Sequence, residues 1–133
     1  MTLYARCSEA LEMVVRLKDS TIDSIDETET KKLRLLKVSC KELGAKLTLE
    51  LPEVLCDRLN RGDHVDVVID GDPVSAVEKA KLYAEGLVFR VNENDKLQVV
   101  GTLGGLRFTL LLQKPTPSQR KTFSTGKFYV VLN

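Results

Sequence analysis

Tryptophan is absent from this 133-residue chain, and only seven aromatic residues occur: Tyr4, Tyr83, Phe89, Phe108, Phe123, Phe128 and Tyr129. No window approaches the roughly 18 apolar residues of a membrane-spanning helix. Met1 to Glu9 is polar and mixed in charge, with no apolar core of a signal peptide behind it. Cysteine is sparse, and Cys7, Cys40 and Cys56 form no close pair. An odd count with long gaps does not read as a disulfide framework, which points to a reducing intracellular compartment. An excess of either charge is missing too: 20 Lys and Arg face 19 Asp and Glu, for a formal net charge of +1. That balance excludes a global attraction to nucleic acid or an anionic membrane, and it weakens repulsion between neighbouring molecules.

What is present is a globular composition, 43% hydrophobic and 29% charged, in a length that fits one domain spanning residues 1–133. The dominant period is two. Residues 11–17 set Met13, Val15 and Leu17 against Val14 and Arg16. Residues 18–32 carry five acids among Ser and Thr, and form either a wide acidic hairpin loop or a strand extension through Ile22 and Ile25. Residues 32–40 and 45–51 make a strand pair joined near Lys41–Gly44, with Leu47, Leu49 and Leu51 alternating against Lys46, Thr48 and Glu50. Pro52 ends that strand, and 53–60 fits a helix of about two turns with Val54, Leu55, Arg58 and Leu59 on one side.

Strand patterns resume at 64–70, 82–92, 96–104, 106–113 and 127–133, separated by turns at Asp70–Pro73, Asn92–Asp95 and Gly104–Gly105. Residues 74–81 fit one or two helical turns or an ordered loop, and Lys114–Thr125, with two prolines, reads as a loop. Within 82–92, Tyr83, Leu87, Phe89 and Val91 alternate with Ala84, Val88 and Arg90, which assigns Phe89 to the core. About eight strands, one short helix and no βαβ spacing predict an all-β fold, either a barrel or a sandwich. The order of early strands, short helix and run of hairpins leans toward an antiparallel barrel related to the oligonucleotide-binding fold.

Candidate chemistry is thin. Cys7, Cys40, Cys56 and His64 lack the close ligand pairs of a zinc knuckle and read as small thiols and a strand-edge histidine. His64 beside Asp63 or Asp66 has no nucleophile that sequence can place opposite it. The carboxylate pairs at Asp70 and Asp72 or Glu93 and Asp95 sit among turn formers, where Asx-type bonding accounts for them. No metal and no cofactor is expected. Gly101, Gly104 and Gly105 lie between strands rather than before a helix, so they serve a hairpin or a close backbone approach to a partner chain instead of a phosphate cradle. Basic windows at Lys31–Lys41 and Lys114–Lys127, the second with Phe123, Phe128 and Tyr129 near its end, keep sequence-tolerant single-strand binding as the alternative.

Residues 82–113 carry a more specific pattern. Gly86-x-x-Phe89-Arg90 is followed by the turn Glu93-Asn94-Asp95, a strand, and Gly104-Gly105-Leu106-Arg107 entering an apolar strand. With the Lys46-Leu47-Thr48-Leu49 strand upstream and Phe128–Leu132 closing, this order resembles the small eighth subunit shared by eukaryotic nuclear RNA polymerases. The short Gly71–Lys81 connection is similar to the archaeal counterpart form. The resemblance implies a non-catalytic β-barrel subunit on the outside of a DNA-dependent RNA polymerase, bound mainly to the largest subunit, with nucleic-acid contact indirect at most. It implies a cytoplasmic location for an archaeal member and a nuclear one for a eukaryotic member. On this footing Gly86, Arg90, Gly104, Gly105, Leu106 and Arg107 are the candidate partner-binding residues. Gly105 would give close backbone fit, so that a bulky substitution there weakens association more than folding. Arg107 would give a charge-assisted bond to a partner carboxylate or carbonyl.

Overall fold

The computed structural model describes residues 14–73 and 80–133. Met13, Cys7 and the ambiguous 74–79 stretch lie outside the described residues. Eight strands form a closed antiparallel barrel: β1 Val14–Glu27, β2 Leu33–Cys40, β3 Ala45–Pro52, β4 His64–Asp70, β5 Leu82–Glu93, β6 Leu97–Leu103, β7 Leu106–Leu112 and β8 Lys127–Leu132. Around the wall they run β1-β2-β3-β7-β6-β5-β8-β4, and β4 pairs back onto β1. The expected all-β barrel is therefore present. The 18–32 segment takes its strand option, since β1 continues to Glu27 and only the residues before Leu33 turn.

The period-two pattern works because one face of each strand must fill a closed interior. Leu47, Leu49 and Leu51 of β3, Val65, Val67 and Ile69 of β4, and Phe108, Leu110 and Leu112 of β7 are all buried. Phe108, Phe123 and Phe128 meet inside, with centroids 4.6 Å apart for 108–128 and 5.4 Å for 123–128. These tilted and edge-on contacts add to the area that each ring buries.

The short helix lies elsewhere than expected. Residues 53–60 contain only a 3-10 turn, Glu53–Cys56, which has no side-chain cap. Its apolar residues do not form a buried stripe: Leu59 is buried, while Val54 is 74% exposed. Two full α-turns would have nothing to pack against. The α-helix, α1, is Pro117–Lys121, inside the stretch read as a loop. The Thr116 side chain accepts from the Gln119 N–H, the Gln119 side chain accepts from the Thr116 N–H, and Pro117 takes the first turn, where its missing donor costs nothing. The two prolines masked a capping box.

The barrel has an internal pseudo-two-fold. Exchanging β1 with β5, β2 with β6, β3 with β7 and β4 with β8 returns the same cyclic strand order. From Ser20 and Gly86 onward the registers agree; before that, β1 carries an irregularity against β4 between Leu17 and Ser20 that β5 lacks against β8. Ser20 opposes Val65 where Gly86 opposes Phe128, and Thr21 opposes His64 where Leu87 opposes Lys127. Both long strands then bulge, between Ile22 and Ser24 in β1 and between Val88 and Arg90 in β5. Asp23 and Phe89 are the equivalent extra residues. Thr48 opposes Thr109, and Val68 opposes Val131, at the two points where each half meets its own counterpart.

Gly86 faces the interior. A Cβ there would sit 2.3 Å from the Phe128 ring, so the ring occupies the space that a side chain would need. Gly86→Ala should lower unfolding stability by about 1–3 kcal/mol, the cost of overpacking a filled core. Adding Phe128→Leu should recover part of that loss in a denaturant double-mutant cycle; strictly additive losses would show that the two positions do not compete for space.

Candidate interaction surface

Three neighbouring strands build the surface that the sequence singled out. In β5 the inward side is Leu82, Ala84, Gly86 and Val88, and the outward side is Tyr83, Glu85 and Leu87. The bulge adds Phe89 to the outward set and returns Val91 to the core. Leu87 is 53% exposed and Phe89 81% exposed. The expectation that Leu87 and Phe89 share a core face with Val91 is thus corrected. A strict alternation cannot pass through a bulge without changing phase.

Gly101 explains how the bulge is accommodated. A Cβ at Gly101 would lie 2.3 Å from the Leu87 carbonyl oxygen, so β5 comes close to β6 there. The close backbone approach considered for this glycine is made by the chain's own strand. Gly104 and Gly105 have φ of +58° and +85° and open space beside them, which is the backbone of a two-residue hairpin turn. The Gly104 N–H also donates to the Glu85 carbonyl at 3.0 Å, tying the hairpin to β5. Glu85, Leu87, Thr102, Gly104, Gly105 and Lys127 line one shallow groove, with Glu85 and Lys127 paired across it at 3.9 Å.

The six candidate residues divide accordingly. Gly104 and Gly105 join this groove, and Leu106 is half-buried beside them in β7. Arg90 is exposed next to Phe89. Arg107 is exposed but points toward β3: its N–H donates to Glu50 Oε1 at 3.2 Å, and its Nε lies 3.9 Å from the same oxygen. Gly86 is interior and offers no side chain to a partner. Because φ at Gly105 is +85°, every L side chain there is strained, so a bulky residue would disturb folding as well as association. Leu87 and Phe89, both missed in the sequence, separate the two effects. Their signal was Glu85, which lies on the same face between Tyr83 and Leu87 and marks it as solvent-facing.

The remaining chemical candidates stay apart. His64 Nδ1 pairs with Asp19 at 3.2 Å, not with Asp63 or Asp66, and both groups are exposed. Among the described residues no group of three or more His, Cys, Asp or Glu side chains gathers as metal ligands would. Cys40 is buried, and its thiol donates to the Lys18 carbonyl at 3.6 Å. Cys56 is half-buried beside Pro52.

The chain matches no family model and no curated protein.

Burial pushes the Cys56 thiol above its ordinary range, with Arg34 opposing the shift in part. The native state therefore favours the neutral thiol, and its reactivity should rise only as pH passes above the range of a free cysteine. Alkylation of Cys56, followed by mass spectrometry across pH 7 to 10, should trail that of an unstructured cysteine peptide. Rates that match or exceed the peptide's would show an activated thiol.

Proposed function

We propose that this chain is a non-catalytic subunit of a DNA-dependent RNA polymerase, docked on the largest subunit through the outer face of β5 and the β6–β7 hairpin. The observation that carries the docking surface is the contrast between the two halves of the barrel. The same bulge position holds Asp23 in one half and Phe89 in the other, so the fold itself does not call for an apolar residue there. An aromatic ring left 81% exposed beside Leu87 is explained by a surface that covers it. Support for the polymerase as partner is the ordered resemblance over residues 82–113, whose Gly-x-x-aromatic-basic strand and Gly-Gly-Leu hairpin lie on the adjoining strands β5, β6 and β7.

A second reading has one observation in its favour. Phe89 is exposed next to Arg90, the pairing of stacking ring and phosphate-seeking cation used by single-strand binders. Against it, Glu85 shares this face of β5 and Glu93 lies beyond Arg90, and the net charge supplies no electrostatic pull.

Both readings meet in one experiment. The tagged chain, expressed in its native cells, should co-migrate on gel filtration with the large polymerase subunits, identified by mass spectrometry. Leu87→Ser with Phe89→Ser should lose that co-migration at least tenfold while changing stability by under about 0.5 kcal/mol per site, since both side chains are surface-exposed. Wild-type protein recovered alone would overturn the polymerase reading. Salt-sensitive binding of labelled oligonucleotides by the isolated chain, lost with Phe89→Ser, would install the second.

A further inference from the structure

The barrel is closed, yet β1 outruns its neighbour. Pairing with β4 ends at Thr21–His64, with two last bonds in which the Ile22 N–H donates to the Asp63 carbonyl and the Gly62 N–H to the Ile22 carbonyl. Pairing with β2 continues through Ser24–Lys37 and Ile25–Leu36 to Glu27–Arg34. Residues 23–27 therefore have one satisfied edge and one open edge, roughly 16 Å long at the usual rise per residue. No backbone hydrogen bond runs from the open side to any other described residue.

Two other places where a strand outruns its neighbour are guarded. At β3, pairing with β7 stops at Leu49–Phe108, the Glu50 carboxylate takes the Arg107 N–H, and Pro52 has no N–H to offer. At β5, the equivalent of this edge, Arg120 of α1 bonds the Asn94 carbonyl at 3.4 Å and pairs with Glu93 at 3.6 Å. The β1 edge carries only charge. Asp23 and Asp26 are exposed and have no ion-pair partner among the described residues, whereas Glu27 is held by Arg34 at 3.0 Å. Charges on an edge bar some strands and admit others. A second copy of the chain would set acids against acids.

We propose that the open edge of β1 at residues 23–27 receives an extended basic segment of a partner polypeptide as an added strand. Main-chain bonds on the open side would supply the affinity of strand addition, and Asp23 and Asp26 would select Lys or Arg in the incoming segment. Ile25 packs against the core from this stretch and holds the edge in an extended, ready conformation. The site does not depend on the polymerase reading. It lies in the other half of the barrel, on the strand equivalent to β5.

The test uses the full chain and a short capped peptide of alternating lysine and valine. Hydrogen exchange should show new protection confined to the amides of 23–27 and the turn beyond. Asp23→Lys with Asp26→Lys should weaken binding about tenfold, and the glutamate–valine peptide should not bind the wild-type chain. Methylating every second backbone nitrogen of the peptide, in each of the two phases, should abolish binding in at least one. Should the double reversal fail to fold, Asp26→Asn provides the same direction with a smaller loss. The proposal is overturned by no binding, by binding without protection at 23–27, or by binding indifferent to both methylation phases, which would be attraction to charge alone.

Discussion

The ring of Phe128 lying where a side chain at position 86 would be is the constraint from which much of the second half follows. Eight strands enclose an interior just wide enough for side chains, so a large ring in one layer requires a gap opposite. Phe108 and Phe123 close around Phe128 from β7 and from the segment after α1, which couples that helix to the core. With no side chain at Gly86, β5 can lie close over Phe128, and with none at Gly101 it can press against β6. The strand then bulges at Phe89, which leaves one residue more on β5 than on its partner. The bulge changes the phase of the alternation, so Leu87 and Phe89 stay outside while Val91 turns to the core.

The first half solves the same geometry with different volumes. Ser20 and Val65 stand where Gly86 and Phe128 stand, so a medium pair replaces a small and a large one. Ser20 is buried, and its hydroxyl donates to the Leu17 carbonyl at 2.9 Å, which removes the penalty of enclosing a polar group. Two halves with one topology act as controls for each other. What they share, the bulge and the hairpin register, belongs to the fold. What they do not share, Asp23 against Phe89 and Thr21 against Leu87, is free of the fold's demands and points to different surroundings for the two surfaces.

Strand identity and barrel class were legible because closure forces inward residues to alternate, and Leu47–Leu49–Leu51 or Phe108–Leu110–Leu112 carries that alternation unbroken. The hairpin at Gly104–Gly105 was legible because its two positive φ values all but require glycine. Three things were obscured. The phase of β5 is lost at a bulge that no residue type announces, since Leu87, Val88 and Phe89 are all apolar. The helix at Pro117–Lys121 is hidden by Pro115 and Pro117, of which Pro117 takes the first turn, where proline favours helix rather than breaking it. The halves share register without shared side chains, so their equivalence exists in pairing and not in sequence. Of the residues named from the resemblance, Gly104, Gly105 and Arg90 lie exposed. Gly86, named with them, lies inside against Phe128, because a glycine pattern does not say which face it serves.

The near-cancellation of 20 basic and 19 acidic residues takes on a definite meaning in this frame. A molecule with almost no net repulsion and an exposed Phe89 would associate indiscriminately if its strand edges were also open. Closure removes most edges, Glu50 with Arg107 and Arg120 with Glu93 occupy two of those that remain, and carboxylates line the end of β1. Among the described strands, large apolar side chains stand exposed on β5 alone, while the open edge of β1 carries the charge that would select a strand of opposite sign. Because these features sit on β1 and β5, which the pseudo-two-fold exchanges, they belong to separate parts of the wall. The barrel can hold two partners, or two parts of one, without either surface serving the other's contact.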